Sequence, residues 1–210
     1  MALPRSDANP AAVEIRGAHA RDIPQVSDLL GRAFFDDPVF AWVVPDDRRR
    51  RRNIRGFFAL FANAVQRYQE TYTAGGGIGA ALWVPPGQAP IADEDAEEFG
   101  ARVEALAGPD APRLFDITAA MEEHHPTEPH QYLWFLGVHP VWQGRGIGSA
   151  MLTPMLQRCD ANGTAAYLEA TSEHNARLYE RHGFHVTGRI DEHGGAPLWP
   201  MWREPARGRA

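Results

Sequence analysis

The stretch Val138 to Ser149 (Val-His-Pro-Val-Trp-Gln-Gly-Arg-Gly-Ile-Gly-Ser) sets a glycine-rich turn between an apolar strand and a helix. That arrangement suits an anion. The first N–H groups of a helix have no partners within it, and the helix dipole favours negative charge there. Gly144, Gly146 and Gly148 lack Cβ atoms, so a pyrophosphate can approach the backbone. Three phosphate-binding patterns compete. The Walker pattern needs a Lys, and all 21 basic residues of this chain are Arg. The dinucleotide pattern G-x-G-x-x-G accepts Gly144 and Gly146 but meets Ser149 at its third position. Glu169 lies roughly 20 residues on, where a ribose-binding acid would sit, yet that turn should follow its strand at once. The third pattern, Gln143-x-x-Gly146-x-Gly148, fits best. An ordinary glycine-rich turn stays the plain alternative.

A second segment, Asn175-Ala176-Arg177-Leu178-Tyr179-Glu180-Arg181-His182-Gly183-Phe184, begins 29 residues after Gly146. Its apolar positions suit an amphipathic helix, in which Tyr179 is a core aromatic or a phenol aimed at a site. Gly183 would end that helix.

Several elements must position these segments. Val13 to Arg16 alternates as a strand, and a helix follows from Asp22 to about Phe35. Asp36-Asp37-Pro38 stops it. A second helix covers about 49–68, and Arg48 to Arg52 reads as its solvated first turns rather than a phosphate site. Strands over 71–74 and 78–84 flank the hairpin turn Gly75-Gly76-Gly77. Helices are expected over 93–106, as an acidic surface helix, and over 114–123. Tyr132 to Val138 is apolar on both faces, as a central, doubly covered strand should be. Then follow a helix over 146–161, a strand over 165–170, a helix over 173–182, and strands near 184–190 and 197–203. The order is mixed α/β. Residues 1–11 and 205–210 read as tails around a single domain over 12–204.

Composition removes several chemistries. Without Lys there is no Schiff base of the pyridoxal or aldolase kind. The single cysteine, Cys159, excludes an intrachain disulfide and cysteine-built zinc or iron–sulfur sites. The adjacent His124 and His125, with His130 five residues on, have no regular ligand spacing, so no metal is expected. A formal net charge of −6 argues against nucleic acid as the main partner. No apolar run reaches the ~18 residues of a membrane span. No signal peptide is apparent, so a cytoplasmic location is expected.

The two motifs together resemble those of the GNAT superfamily of N-acetyltransferases. The first resembles that family's acyl-CoA pyrophosphate loop, and the second its N-x-x-(L)-Y-x-x-x-G-F segment. Within the superfamily the chain resembles the puromycin N-acetyltransferase group from about Val13 to Arg203. The likeness runs through Ala33 to Pro38, Leu82 to Gly87, Glu128 to Ser149, and Pro154. That proline would otherwise be an anomaly, since it costs about 3 kcal/mol inside a helix.

The resemblance implies a mixed sheet, splayed where acetyl-CoA lies and flanked by helices. Acetyl-CoA would be the co-substrate and a small-molecule primary amine the acceptor, attacking the thioester directly. The splay is expected near Pro140, which cannot donate a ladder hydrogen bond. The Val138 N–H is the candidate donor to the thioester oxygen. Gln143, Gly144, Arg145, Gly146, Ile147, Gly148 and Ser149 would hold the pyrophosphate, helped by Arg181. Tyr179 would assist the leaving thiolate. Asn175 would contact the cofactor or cap its own helix. The family's usual strand carboxylate is replaced by Tyr132, which leaves His125, His130, Glu169, a water relay or an already neutral amine as the base. Phe35, Asp37, Phe40, Trp42 and Tyr132 are candidates for the acceptor site; Asp37 is equally a helix stop. A monomer or homodimer is expected. Two other readings are an NAD(P)-dependent oxidoreductase built on Gly144–Ser149 and a non-catalytic acyl-CoA-binding module.

Overall fold

The computed structural model describes residues 13–191 and 194–206 of the 210-residue chain. The tail expected over 1–11 lies outside them, as do residues 207–210 of the second tail. Seven strands form one sheet: β1 (Ile15–Gly17), β2 (Thr71–Ala74), β3 (Gly79–Val84), β4 (His130–Val138), β5 (Ala165–Ala170), β6 (His185–Val186) and β7 (Trp199–Arg203). Their order is β1-β2-β3-β4-β5-β7-β6. Every pairing is antiparallel except β4–β5, which is parallel.

Helices cover both faces. On one lie α1 (Ile23–Ala33), α2 (Pro38–Val43), α3 (Asp47–Val65), α4 (Ala96–Ala107) and α5 (Ala111–His124). On the other lie α6 (Ile147–Asn162) and α7 (Glu173–Glu180). The period of two in β3 builds two cores from one strand. Ala80, Leu82 and Val84 enter the first core, and Ala81 and Trp83 the second. Leu82 and Trp83 are fully buried, which contributes roughly 1.5–3 kcal/mol for a side chain of that kind. The parallel β4–β5 step needs a crossover, and α6 supplies it.

β4 carries the irregularity that shapes the molecule. Leu82 pairs with Phe135, but Trp83 pairs with Leu133, so Trp134 is an extra residue with no partner of its own. A bulge of this kind bends its strand and increases the local twist. β4 pairs with β5 only over His130–Ala165, Gln131–Ala166 and Tyr132–Tyr167. Beyond Tyr132 the two strands part. The splay therefore starts just before the bulge, which lies four residues after the strand begins, and not at Pro140 as expected.

Local chemistry explains other departures. Asp37-Pro38 starts a helix as well as ending one: Asp37 Oδ1 accepts the N–H groups of Val39 (2.9 Å) and Phe40 (3.4 Å), so α2 begins at the proline. The arginine run is not wholly solvated. Arg50 is buried and donates to the carbonyls of Phe35 (2.8 Å) and Val44 (2.6 Å) and to Asp47 (2.6 Å). The strand expected over 184–190 is reduced to His185–Val186 and a bridge between Ile190 and Leu198. α4 is not a free surface helix, because Val103 and Ala107 are buried in the first core. Among the described residues no helix is long and apolar enough to cross a membrane.

Candidate active site

The parting of β4 from β5 frees backbone groups. His139 N–H donates to Ile78 O (2.9 Å), on the β3 side. Antiparallel ladders alternate, so the N–H of Val138 faces the other way, into the gap left by β5. At the end of the gap, Pro140–Trp142 make a single 3-10 turn and Gln143 Nε2 donates back to Val138 O (3.1 Å). Gly144 (φ 73°) and Gly146 (φ 78°) both sit in the left-handed region, which glycine alone enters without strain. Gly146 caps α6 with no side-chain bond. The first bond of α6 runs from Ala150 N–H to Gly146 O (3.0 Å), which leaves the N–H groups of Ile147, Gly148 and Ser149 without acceptors inside the helix.

Side chains complete this end. A Cβ on Gly148 would stand 3.2 Å from Leu178, so that glycine also lets α7 approach α6. The Arg145 guanidinium lies 4.9 Å over the Trp142 ring. Ser149 Oγ is 2.8 Å from His182 Nε2, beyond the end of α7. Ser172 caps α7 by accepting Asn175 N–H (3.2 Å). Asn175 itself does not cap; its Nδ2 donates to Thr171 Oγ1 (3.2 Å), which donates to Asp37 Oδ2 (2.5 Å). Tyr179 is buried against Phe184, with ring centroids 6.0 Å apart. Burial, with the Asp37 carboxylate nearby, pushes its phenol pKa well above the ordinary value. Burial also raises the pKa of Asp37 itself, against the hydrogen bonds that lower it.

The closed end of the β4–β5 pair gathers titratable groups. Tyr132 Oη donates to Glu169 Oε2 (2.8 Å) across the two strands. The Glu169 side chain is only 3% exposed, and its Oε1 has no hydrogen-bond partner. His125 Nδ1 lies 3.8 Å from that oxygen, and the His125 side chain is one-third exposed (33%). Its ring also stands edge-on to Tyr132 (4.9 Å) and Tyr167 (5.0 Å), with His130 5.0 Å away. Burial lowers the pKa of His130, and burial first, then Glu169, raises those of Tyr132 and Tyr167. Tyr132, where the resemblance implied a strand carboxylate, thus presents a phenol that grips a carboxylate from the next strand.

Between the two ends lies a cavity of ≈ 800 Å³. Glu169, Tyr132, His125, Asn175, Thr171 and Tyr179 meet there, and α4 and α5 with the loop over 87–91 form its far wall. Among the described residues no cluster of three or more His, Cys, Asp or Glu could hold a metal ion.

Residues 119–204 match the acetyltransferase (GNAT) domain family model, from within α5 to just past β7. Over those residues the chain carries a GNAT acetyltransferase domain. It is 24% identical over 211 residues to an uncharacterized N-acetyltransferase of Schizosaccharomyces pombe, covering 89% of this chain and 81% of that protein. Among solved structures it resembles the Corynebacterium glutamicum histone acetyltransferase HPA2 and related acetyltransferase, with 29% identity and a TM-score of 0.71 over 94% of this chain and 99% of that one. The Drosophila melanogaster polyamine N-acetyltransferase shares the fold at 17% identity and a TM-score of 0.62, over 91% and 99% of the two chains. The mixed seven-stranded sheet with helices on both faces is the GNAT fold. The family match and the N-acetyltransferase relatives together support an acetyl-CoA-dependent N-acetyltransferase.

Within this GNAT framework the residues singled out in the sequence fall into two groups. The turn from Gln143 to Ser149, Val138, Asn175 and Tyr179 lie around the gap. Tyr132, Glu169, His125 and Phe40 line the cavity. Phe35, Trp42 and Asp37 do not line it. Phe35 lies beneath the guanidiniums of Arg50 (4.8 Å) and Arg51 (4.4 Å). Trp42 lies under Arg113, which donates to its carbonyl (3.0 Å). Asp37 has both oxygens engaged in capping α2 and binding Thr171, so it offers no free carboxylate to a cation. Arg181 is exposed beyond α7. Sequence reasoning passed over Thr171, Trp134 and the α4–α5 wall. Thr171-Ser172 before Glu173 is a legible helix start; nothing in the sequence marks Trp134 as a bulge.

Proposed function

We propose that this chain acetylates a primary amine of a small molecule by direct attack on acetyl-CoA. The observation that carries this reading is the gap that opens beyond Tyr132 and runs from a buried carboxylate at one end to unpartnered helix N–H groups at the other. The donor set fits the co-substrate. Ile147, Gly148 and Ser149 N–H groups suit a pyrophosphate, and the glycine turn leaves it room: a Cβ on Gly144 would meet nothing within 4 Å. Arg145 and Arg181 add positive charge near it. The freed strand edges of β4 and β5 suit the amides of a pantetheine arm. Acetyl-CoA supplies the activated acyl group.

Each residue then has a task. The Val138 N–H donates to the thioester oxygen as negative charge develops there, a contribution of a few kcal/mol for a fixed donor. Tyr179, held neutral by its burial, donates a hydrogen bond to the departing sulfur. Glu169 takes the acceptor's proton, and His125 beside it leads that proton outward, since its side chain reaches solvent. Tyr132 orients Glu169 through its hydroxyl. The protein works as a single domain over 12–204 in the cytoplasm.

The dinucleotide reading has no comparable support: Glu169 is bound to Tyr132 in the cavity, and β4 has only one parallel neighbour. The test is thiol release from acetyl-CoA in the presence of primary amines. Release that depends on amine and enzyme supports the proposal. Binding of CoA with no amine-dependent release would instead support a non-catalytic acyl-CoA-binding module.

A further inference from the structure

Resting on that reading, we propose the chemical class of the acceptor: a monocationic primary amine carried on an apolar, ring-sized body, with its ammonium seated on Glu169 Oε1. The cavity is built for such a molecule. One wall is a cluster of rings, Phe34, Phe40, Phe61, Phe99, Trp134 and Phe135. They hold one another in place: Phe61 stacks on Phe135 at 5.2 Å, Phe34 meets Phe135 edge-on at 5.7 Å, and Trp134 leans on Phe61 at 5.1 Å. A rigid aromatic wall binds an apolar body at little cost in side-chain entropy.

The polar end is equally specific. Glu169 Oε2 is occupied by Tyr132, but Oε1 is buried with no hydrogen-bond partner, His125 Nδ1 standing 3.8 Å away. A buried acceptor left unsatisfied is costly, and a primary ammonium brings three N–H donors and the complementary charge. The Tyr132 ring lines the cavity at the same end, with Tyr167 packed beside it at a centroid distance of 5.7 Å. Among the described residues one other carboxylate borders the cavity, Glu122, and it is exposed. A polyamine would therefore place its second ammonium against rings with no buried counter-charge. A peptide would place its amides against the same rings with no partners. Both cost desolvation that an apolar monocation avoids.

The experiment compares acceptors by thiol release from acetyl-CoA: 2-phenylethylamine and tryptamine, spermidine, and a short peptide with a free N-terminus. The expected kcat/KM for the two arylalkylamines is at least tenfold above the others. A second arm uses 2-phenylethylamine and its neutral counterpart 2-phenylethanol as competitors of the acceptor. The wild type should bind the amine at least tenfold more tightly, and Glu169→Gln should lose that preference while keeping its stabilisation by CoA. Trp134→Ala should weaken arylalkylamines more than a short aliphatic amine, which tests the wall without touching the carboxylate. A preference for spermidine or peptide overturns the inference and leaves the acetyltransferase intact. So does an amine-over-alcohol preference that survives in Glu169→Gln. If CoA neither stabilises the wild type nor is released with any amine, both this inference and the reading beneath it fall.

Discussion

The two ends of the β4–β5 pair differ in kind. At the closed end the strands are hydrogen-bonded through Tyr132–Tyr167, so only side chains are left to act: a carboxylate, two phenols and two imidazoles. At the open end the ladder is broken, and the backbone itself is the reagent, through the N–H of Val138 and those at the start of α6. One bulge, at Trp134, divides them. The contrast teaches that a strand pair can recognise two partners at once if it is allowed to fail half-way. In the proposed function, side-chain chemistry at one end faces the amine, and backbone chemistry at the other faces the phosphates and the thioester.

Substitutions that separate the ends sharpen this contrast, and the largest effect on CoA binding is expected at the backbone end. Gly146→Val forces a β-branched residue to φ 78° at the cap of α6. We expect CoA affinity to fall about 100-fold or more by calorimetry, because the strain and the lost N–H geometry act together. Next is Glu169→Gln at the side-chain end. Loss of a general base costs roughly 10²–10⁴-fold, so kcat/KM for the amine should fall by that order while CoA binding stays unchanged. Tyr179→Phe should lower kcat about 10- to 100-fold with little change in KM, since the lost hydrogen bond forms as sulfur departs. A normal kcat in that variant would remove Tyr179 from the chemistry.

The smallest effect concerns pH. Burial lowers the His130 pKa below its ordinary 6.5, against opposing influences from Glu128 and Glu169. The folded protein therefore holds His130 neutral, while the unfolded chain takes up a proton near pH 6.5. The stability it contributes is present above that pH and is lost as pH falls below it. Tm should decline between pH 7 and 5, and less steeply in His130→Gln. An identical slope in the variant would show that other groups govern the decline.

The backbone end was legible in the sequence because glycines announce their conformations. Gly144, Gly146 and Gly148 lie in one short segment, and their spacing to Tyr179 survives folding. The side-chain end was only half legible. Glu169 and His125 were visible as candidates, but the hydroxyl of Tyr132 reaches Glu169 only because parallel register sets Tyr132 beside Tyr167, two residues before Glu169. Strand register between segments 35 residues apart leaves no local signal. Elements failed where one residue type serves two purposes. Asp37 stops α1 and starts α2, and Arg50, amid four other arginines, is the one folded inward to hold carbonyls. The acidic character of α4 hid its role as a wall, because its few apolar residues face the first core and the cavity.

The most direct test is thermal unfolding of the wild type, Gly146→Val and Glu169→Gln with and without CoA. A ligand at about 100 times its Kd adds about 2.7 kcal/mol, which at this size is a rise of roughly 5–10 °C. The two-ended gap predicts that rise for the wild type and for Glu169→Gln, and no more than about 2 °C for Gly146→Val. An equal rise in Gly146→Val, or its loss in Glu169→Gln, would contradict the division of the gap into a backbone end and a side-chain end.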